Sequence, residues 1–321
     1  MTMAIQDSSS RSWPADGVDP FSFKNITNAM KNDLLGRFGT RYFLRRCVEL
    51  PVQMSFKADV FFRKIERPVF IVGAPRSGTT FLGNAISVLP SVQYFHEPAA
   101  TKCAVAHVYL NPEHWAKLSR YYKFQYRVMM AGNRKRGRLI EKTPRNCFAI
   151  SFLNETFPDA KFIHIYRDGC DSAFSNSKKH WMHENQDGKN VREHAGYLLG
   201  SKAQFWTEPH RREEYESCNR LRRCAWAWRR YTESALDQLA EIPKDRQLSI
   251  RYETMAHHCN EVSLQLANFL ELGTQESDRL AKSLSKVKAS SVGNASRELS
   301  DSDLNEMVEE CGEVLTRLKY N

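Results

Sequence analysis

The sequence lacks a long apolar run. No stretch of the 321 residues approaches the roughly 20 apolar residues that a transmembrane helix requires. Residues 1–20 contain no apolar core of a secretory signal, and we interpret them as a mobile polar N-terminal tail. The eight cysteines include no Cys-x-x-Cys pair, so neither a zinc site nor a disulfide framework is indicated. These absences favour reduced thiols in a cytoplasmic protein without a bound metal.

The sequence also has fewer acidic than basic residues. The chain has 47 lysines and arginines against 37 acidic residues, a net charge of +10 at pH 7. This balance suits an anionic cofactor or acceptor, and it is equally compatible with nucleic acid or an acidic membrane surface. Because no RNA- or DNA-binding module pattern is present, we expect no nucleic-acid partner. Residues 21–64 are predicted to be mostly helical and to pack on the domain, although their basic and apolar residues also suit peripheral membrane contact.

Short apolar runs alternate with helical patterns along most of the chain. This alternation predicts an α/β fold, with a P-loop-type parallel sheet flanked by helices on both faces. We expect residues 21–321 to form a single domain. The predicted strands are 68–72, 91–95, 139–142, 161–166 and 247–251, and the predicted helices are 79–89, 113–130, 146–157, 171–180, 214–240, 261–270 and a last one from Ser300. Asp171 and Ser300 are the expected N-caps, and Gly273 is expected to close the helix 261–270.

The loop after the first strand is the most informative segment. It reads Gly-Ala-Pro-Arg-Ser-Gly-Thr-Thr over residues 73–80. A glycine-bearing loop between a strand and a helix N-terminus binds phosphate through backbone N–H groups and the helix dipole. Thr79 stands where a Walker loop has its lysine, which argues against an ATPase or GTPase. The expected anion-binding residues are Arg76, Ser77, Gly78, Thr79 and Thr80.

Other polar residues follow the remaining predicted strands. Glu97, Lys142 and Arg167 each come at the carboxyl end of a strand, where ligands bind on parallel sheets. Ser175 follows Arg167 by eight residues, on the next predicted helix. An arginine and a hydroxyl in this arrangement suit a phosphate dianion, and a carboxylate at a strand end suits proton abstraction from a hydroxyl.

Several of these segments resemble those of a known enzyme family. Residues 75–82 closely resemble the 5′-phosphosulfate loop of sulfotransferases, which use 3′-phosphoadenosine 5′-phosphosulfate (PAPS). The Tyr-Arg-Asp-Gly segment at 166–169, with Ser175, resembles their 3′-phosphate motif. The His-Glu-Pro and Glu-Lys-Thr-Pro segments around Glu97 and Lys142 resemble the general-base and Lys-x-Pro segments of carbohydrate, tyrosyl-protein and bacterial members. Arg76 replaces the loop lysine of the cytosolic small-molecule branch, and that branch's Arg-Lys-Gly is absent here.

The resemblance implies a PAPS-dependent sulfotransferase that releases adenosine 3′,5′-bisphosphate. Glu97 is the implied base, while Lys142 and Arg76 would stabilise charge at the transferring group. Arg167, Ser175 and Tyr252 would join the loop in binding the nucleotide. Glu141 and His96 stay open as alternative bases, Ser172 as an alternative to Ser175, and a late loop with Lys286, Lys288, Ser290 and Ser291 as a further 3′-phosphate contact.

The acceptor is not encoded in any recognisable pattern. A hydroxyl-bearing sugar, lipid or small alcohol is compatible with the aromatics and cations of residues 101–138 and 181–216. A small-molecule or nucleoside kinase with a degenerate P-loop is the alternative function, and a nucleic-acid binder is a weaker one. Five arginines at positions 220–230 are expected to form a solvated helix face, with docking of an anionic acceptor as the alternative, and Trp226 and Trp228 are expected in the core.

Overall fold

The computed structural model describes residues 64–131, 137–179, 191–192, 198–199 and 204–320. The predicted tail and nearly all of the 21–64 helical segment lie outside these ranges. The main sheet has five parallel strands, which are β1 (Val69–Val72), β2 (Val92–His96), β3 (Arg138–Lys142), β4 (Lys161–Tyr166) and β7 (Gln247–Arg251). A separate antiparallel pair consists of β5 (Val191–Arg192) and β6 (Leu198–Leu199). The order of the strands across the main sheet is β2-β3-β1-β4-β7.

Helices connect the parallel strands. In chain order they are α1 (Thr79–Ser87), α2 (Ala99–Leu110), α3 (Trp115–Ala131), α4 (Ile150–Thr156), α5 (Gly169–Ser177), α6 (Arg212–Ser217), α7 (Arg220–Ala240), α8 (Tyr252–His257), α9 (Cys259–Leu270), α10 (Thr274–Leu284), α11 (Asn294–Glu298) and α12 (Asp301–Arg317). Within the described ranges, no helix is both long and apolar enough to cross a membrane.

Hydrophobic layers cover both faces of the sheet. Phe70 and Val72 of β1 face a core formed with α3, α7 and α12. Val69 and Ile71 face the other core, which includes residues of α1, α9 and α10. Because successive strand residues point to opposite faces, a fully apolar β1 needs cover on both sides. The predicted α/β architecture, a parallel sheet flanked by helices, is confirmed.

The order of the strands gathers the functional loops at one edge. β1 lies at the centre and pairs with β3 on one side and β4 on the other. β2 pairs with β3, with His96 opposite Lys142. The loop after β1 therefore lies between the ends of β3 and β4. The segments that carry Glu97, Lys142 and Arg167 reach the same edge because all five strands run in one direction.

Asp171 is not the N-cap of α5, as the sequence predicted. The cap is Asp168, whose carboxylate accepts a hydrogen bond from the Asp171 N–H at 2.8 Å. Two aspartates three residues apart both fit the capping pattern, and the strand end at Tyr166 selects the earlier one. The Asp171 carboxylate instead accepts hydrogen bonds from the Gly293 and Ala295 N–H groups. It thereby ties α5 to the start of α11.

Several predicted helix boundaries were also wrong. The predicted helix 214–240 is two helices, because Asn219 caps α7 through the Arg222 N–H. The helix 146–157 is a 3-10 turn (Pro144–Phe148) followed by the shorter α4. α9 ends at Leu270 and its C-cap is Glu271, which adopts the left-handed conformation (φ 60°), whereas Gly273 precedes the unpredicted α10. The Ser300 cap is confirmed by its bond from the Asp303 N–H.

Candidate active site at the carboxyl edge of the sheet

The loop after β1 forms a tight turn in which two positions, both occupied by glycine, leave no room for a side chain. Gly73 lies against β4, where a Cβ would come 2.1 Å from the Ile165 carbonyl oxygen. Gly78 has a φ of 95° and immediately precedes α1, and a Cβ there would meet the Tyr252 ring at 2.6 Å. The first N–H groups of α1 have no carbonyl partner within the helix, and they line the turn as donors for an anion. The strand, tight turn and helix that the sequence predicts are therefore present, and phosphate binding by this loop stays a prediction.

Arg76 extends from this loop toward α5. Its backbone is left-handed (φ 71°), and its Nε donates to the Ser175 hydroxyl at 3.1 Å. Desolvation and then the nearby Arg167 charge lower the pKa of the Arg76 guanidinium. In the described part of the chain, no carboxylate lies within ion-pair distance of Arg76. Two guanidinium groups thus lie close together beside a helix N-terminus, an arrangement that an anion would stabilise.

Arg167 lies below Arg76 and is almost fully buried, with 5 % exposed. Its guanidinium stacks 4.9 Å from the centre of the Tyr252 ring and lies 3.2 Å from the Asp171 carboxylate. It also donates to the Arg76 carbonyl at 3.4 Å and to the Ser291 carbonyl. Its Nε is buried and has no hydrogen-bond partner among the described residues. Arg167 therefore has a fixed orientation and retains an unused donor.

The late loop, residues 286–291, also reaches Arg167 and Tyr252. The Tyr252 hydroxyl contacts the Ser291 hydroxyl at 2.7 Å and donates to the Lys288 carbonyl at 3.1 Å. The hydroxyls of Ser77 and Ser172 face each other across 3.4 Å. The structure thus brings both candidate serines to the loop, Ser172 at Ser77 and Ser175 at Arg76.

A second cluster lies at the ends of β2 and β3. The Lys142 ammonium group is 2.5 Å from Glu97 Oε1 and 3.0 Å from the Thr80 hydroxyl. Glu97 Oε2 forms a second ion pair, with the Lys102 ammonium group 2.9 Å away. Burial of Glu97 opposes ionisation, but the charges and hydrogen bonds of the two lysines prevail and lower its pKa to about 2. Thr80, Lys142 and Glu97 therefore form a continuous polar chain from the phosphate loop to a carboxylate.

Glu141 points away from this cluster, as expected for the strand neighbour of Lys142. It is fully buried and accepts hydrogen bonds from Tyr126, Thr143, Asn146 and Thr101. Burial raises its pKa. His96 lies beside Glu97 instead, with Nε2 4.0 Å from Glu97 Oε1 and Nδ1 3.3 Å from the Tyr94 hydroxyl.

The arginines of α7 do not form a solvated face. Arg222 and Arg229, with Arg211, surround the Glu310 carboxylate, whose side chain is 2 % exposed. Arg229 and Arg230 also pair with Glu208 and Glu233, and Arg223 is buried and donates to the Cys218 carbonyl. Glu310 lies 81 residues from Arg229 along the chain, so the local charge pattern did not reveal this partner. Trp226 and Trp228 are core residues, as predicted.

Three groups of the site were not predicted as partners from the sequence: Lys102, the Ser291 carbonyl and Asp171. Lys102 pairs with Glu97 because α2 begins directly after Pro98, and that helix was not predicted. The Ser291 carbonyl contacts Arg167 because the distant late loop folds onto α5. Asp171, in the first turn of α5, also pairs with Arg167. An N-terminal helix signal after the His-Glu-Pro segment was the one local clue to Lys102. Asp171 follows Arg167 by four residues, and this i, i+4 spacing was the local clue to their ion pair.

Comparisons with known proteins agree with the fold. The model of the sulfotransferase family matches residues 68–276, which is more than half of the chain. A protein-tyrosine sulfotransferase of Drosophila melanogaster is 23% identical over 223 residues, 64% of this chain and 38% of its own. An uncharacterized protein of Aquifex aeolicus is 27% identical over 134 residues, 36% of this chain. The matched part spans only 17% of that relative's length.

A solved structure shares the architecture over nearly the whole chain. Sulfotransferase STF9 from Mycobacterium avium superposes with a TM-score of 0.56 and 14% identity. The superposition covers 96% of this chain and 87% of the other. At this identity the likeness concerns the fold. The family model supplies the assignment, and the chain belongs to the sulfotransferase family.

Proposed function

We propose that this protein transfers a sulfuryl group from PAPS to an acceptor hydroxyl. The observation that carries the proposal is the polar chain of Thr80, Lys142 and Glu97, which joins an anion-binding loop to a carboxylate. Sulfuryl transfer needs these two groups side by side, because an acceptor must lose a proton while negative charge moves onto the departing phosphate.

The loop and Arg76 would hold the 5′-phosphosulfate. The N–H groups from Ser77 to Thr80 lie at the start of α1, and Arg76 has a hydroxyl as its hydrogen-bond acceptor. Arg167 and Ser175 would hold the 3′-phosphate, with Tyr252 fixing the guanidinium from one side. The unpartnered Arg167 Nε and the proximity of two guanidinium groups support an anionic nucleotide here.

The reaction is a single in-line displacement at sulfur. Glu97 accepts the proton of the acceptor hydroxyl, whose oxygen forms the new bond to sulfur. The bond from sulfur to the bridging phosphate oxygen breaks, and its electron pair leaves with adenosine 3′,5′-bisphosphate. Lys142, next to Thr80, stabilises the charge that develops on that oxygen, a type of contribution commonly worth a few kcal/mol.

Glu97 is the preferred base for geometric reasons. Glu141 is fully buried and engages four side-chain donors on the other side of β3. His96 is half exposed at the rim, where its ring faces Tyr94 and the Glu97 carboxylate. Glu97 contacts Lys142, the lysine that reaches the loop after β1.

We infer a hydroxyl-bearing acceptor, either a sugar, a lipid or a small alcohol, and a cytoplasmic location. The kinase alternative is not favoured, because the buried side chain at position 79 is a neutral threonine and the nearby Lys142 is paired with Glu97. A kinase would use magnesium and ATP in this pocket.

The test is formation of adenosine 3′,5′-bisphosphate from PAPS over a panel of sugar, lipid and alcohol acceptors, with Glu97→Gln and the exposed control Glu113→Gln. We expect turnover for the wild type and the control, and a loss of about a hundredfold or more in Glu97→Gln with nucleotide binding retained. Undiminished turnover in Glu97→Gln would remove Glu97 from the base role. Turnover of ATP with magnesium and none of PAPS would replace the proposal with a kinase.

A further inference from the structure

Glu97 carries a separate ammonium partner on each of its oxygens. Lys142 lies 2.5 Å from Oε1, and Lys102 lies 2.9 Å from Oε2. Together they lower the pKa of Glu97 to about 2. Such a carboxylate is a weak base near neutral pH, because proton transfer is most effective when the pKa of the base lies near the working pH. A base of this kind must lose a partner before it acts.

The two lysines differ in their freedom to leave. The Lys142 side chain is 1 % exposed, and its ammonium group also contacts Thr80. The Lys102 side chain is 36 % exposed. Lysine has a flexible four-carbon stem and a strongly hydrated head, so an exposed lysine can exchange its ion pair for water at small cost. Lys102 is therefore the removable partner.

The position of Lys102 is unusual for a lysine. It lies in the first turn of α2, where its N–H bonds to the Pro98 carbonyl at 2.9 Å. The N-terminal end of a helix has a partial positive charge, which disfavours a cation. The Glu97 carboxylate offsets this repulsion. Among the described residues, the ion pair with Glu97 is thus the one interaction that removal of the Lys102 ammonium group breaks.

Glu97 itself is held in place. Its backbone is left-handed (φ 45°), its N–H bonds to the Lys142 carbonyl at 2.9 Å, and Pro98 follows it. Proline restricts the residue before it, and a left-handed glutamate persists only where its surroundings fix it. The backbone of Glu97 therefore stays fixed at the end of β2 while the partners of its carboxylate change.

We propose that Lys102 is a displaceable counter-ion that orients Glu97 in the free protein and yields Oε2 to the acceptor hydroxyl. This rests on the proposed role of Glu97 as the base. Lys102 is a positioning residue, and Oε2 is the atom that receives the proton. The groups that face the carboxylate are Lys142 from β3, Lys102 from α2 and the His96 ring from β2, with the neutral Thr80 hydroxyl behind Lys142.

The experiment compares Lys102→Met, Lys102→Arg and the distant exposed control Lys244→Met in the full chain. The pH profile of kcat/KM is measured with PAPS and whichever panel acceptor gives turnover. Because Lys102→Met removes one cation beside Glu97, the midpoint of the acid limb should move to a higher pH by about one unit or more. The acceptor KM should fall, and the PAPS KM should stay unchanged. Lys102→Arg should restore the wild-type limb, and Lys244→Met should not move it. An unmoved acid limb, or a higher acceptor KM in Lys102→Met, would overturn the proposal.

A second measurement does not depend on turnover. Carboxyl carbon NMR of protein labelled at glutamate would follow the Glu97 signal, which is identified by its absence in Glu97→Gln. We expect the pKa of Glu97 to rise in Lys102→Met and to stay low in Lys102→Arg. An unchanged pKa in Lys102→Met refutes the counter-ion role. If Glu97→Gln retains turnover while the pKa rises as expected, the base assignment fails and the ion pair stands.

Discussion

At Arg167, burial, stacking on Tyr252 and an ion pair with Asp171 fix one guanidinium beside the loop. The sequence predicted Arg167, Glu97 and Lys142 at the carboxyl ends of three strands, and the structure has them there. This position was predictable because each residue directly follows or ends an apolar run. Lys102 and Asp171 were not predicted as partners. The Lys102 contact depends on where α2 begins, and Asp171, one helical turn after Arg167, was interpreted as an N-cap instead.

Replacement of Arg167 by lysine should weaken binding of adenosine 3′,5′-bisphosphate by about ten- to a hundredfold. Lysine keeps the positive charge but loses both the two-pronged grip on phosphate and the flat surface that stacks on Tyr252. Calorimetry would measure the affinities. Adenosine 5′-monophosphate, which lacks the 3′-phosphate, is the matched ligand and should bind both proteins alike. An equal loss for both nucleotides would show that Arg167 has a general structural role.

Elements were predicted best where the pattern was strongest. The buried strands and α1 were found because apolar runs and the loop glycines are local signals. α2 was missed because its N-cap, Pro98, cannot form a side-chain capping bond. In addition, its buried apolar residues lie on more than one side of the helix, so they give no clear helical stripe in the sequence. The break between α6 and α7 at Asn219 was hidden by a helical pattern that continues through it.

The turn into α1 should not tolerate a side chain at Gly78. In Gly78→Ala the new Cβ meets the Tyr252 ring at 2.6 Å with a φ of 95°, which we expect to lower the free energy of unfolding by about 1–3 kcal/mol. Urea denaturation would measure it. Gly312→Ala is the control, because nothing lies within 4 Å of a Cβ there and alanine favours the helix. If both variants are as stable as the wild type, the turn is less constrained than the geometry implies.

In the described part of the chain the main sheet has a core on each face, and one buried histidine of this sheet contributes to the response to acid. His164 of β4 is buried, and neither ring nitrogen has a hydrogen-bond partner among the described residues. Burial lowers its pKa to about 4. The unfolded chain therefore binds a proton below a pH of about 6.5 that the folded protein does not accept.

Stability should accordingly fall as the pH drops from about 6.5 to about 4, with a slope of up to about 1.4 kcal/mol per pH unit from this group. His164→Leu should flatten the dependence in this window, while the exposed control His210→Leu should leave it unchanged. Urea denaturation at several pH values would measure the slopes. An unchanged slope in His164→Leu would show that the buried imidazole is not the source.

The most direct test of the account is calorimetric titration with adenosine 3′,5′-bisphosphate beside ATP with magnesium. The account predicts a bisphosphate dissociation constant in the micromolar range or tighter, with binding lost in Arg76→Ala and Arg167→Ala. Preferential binding of ATP with magnesium would contradict it, because another cation would then have taken the role of the missing loop lysine.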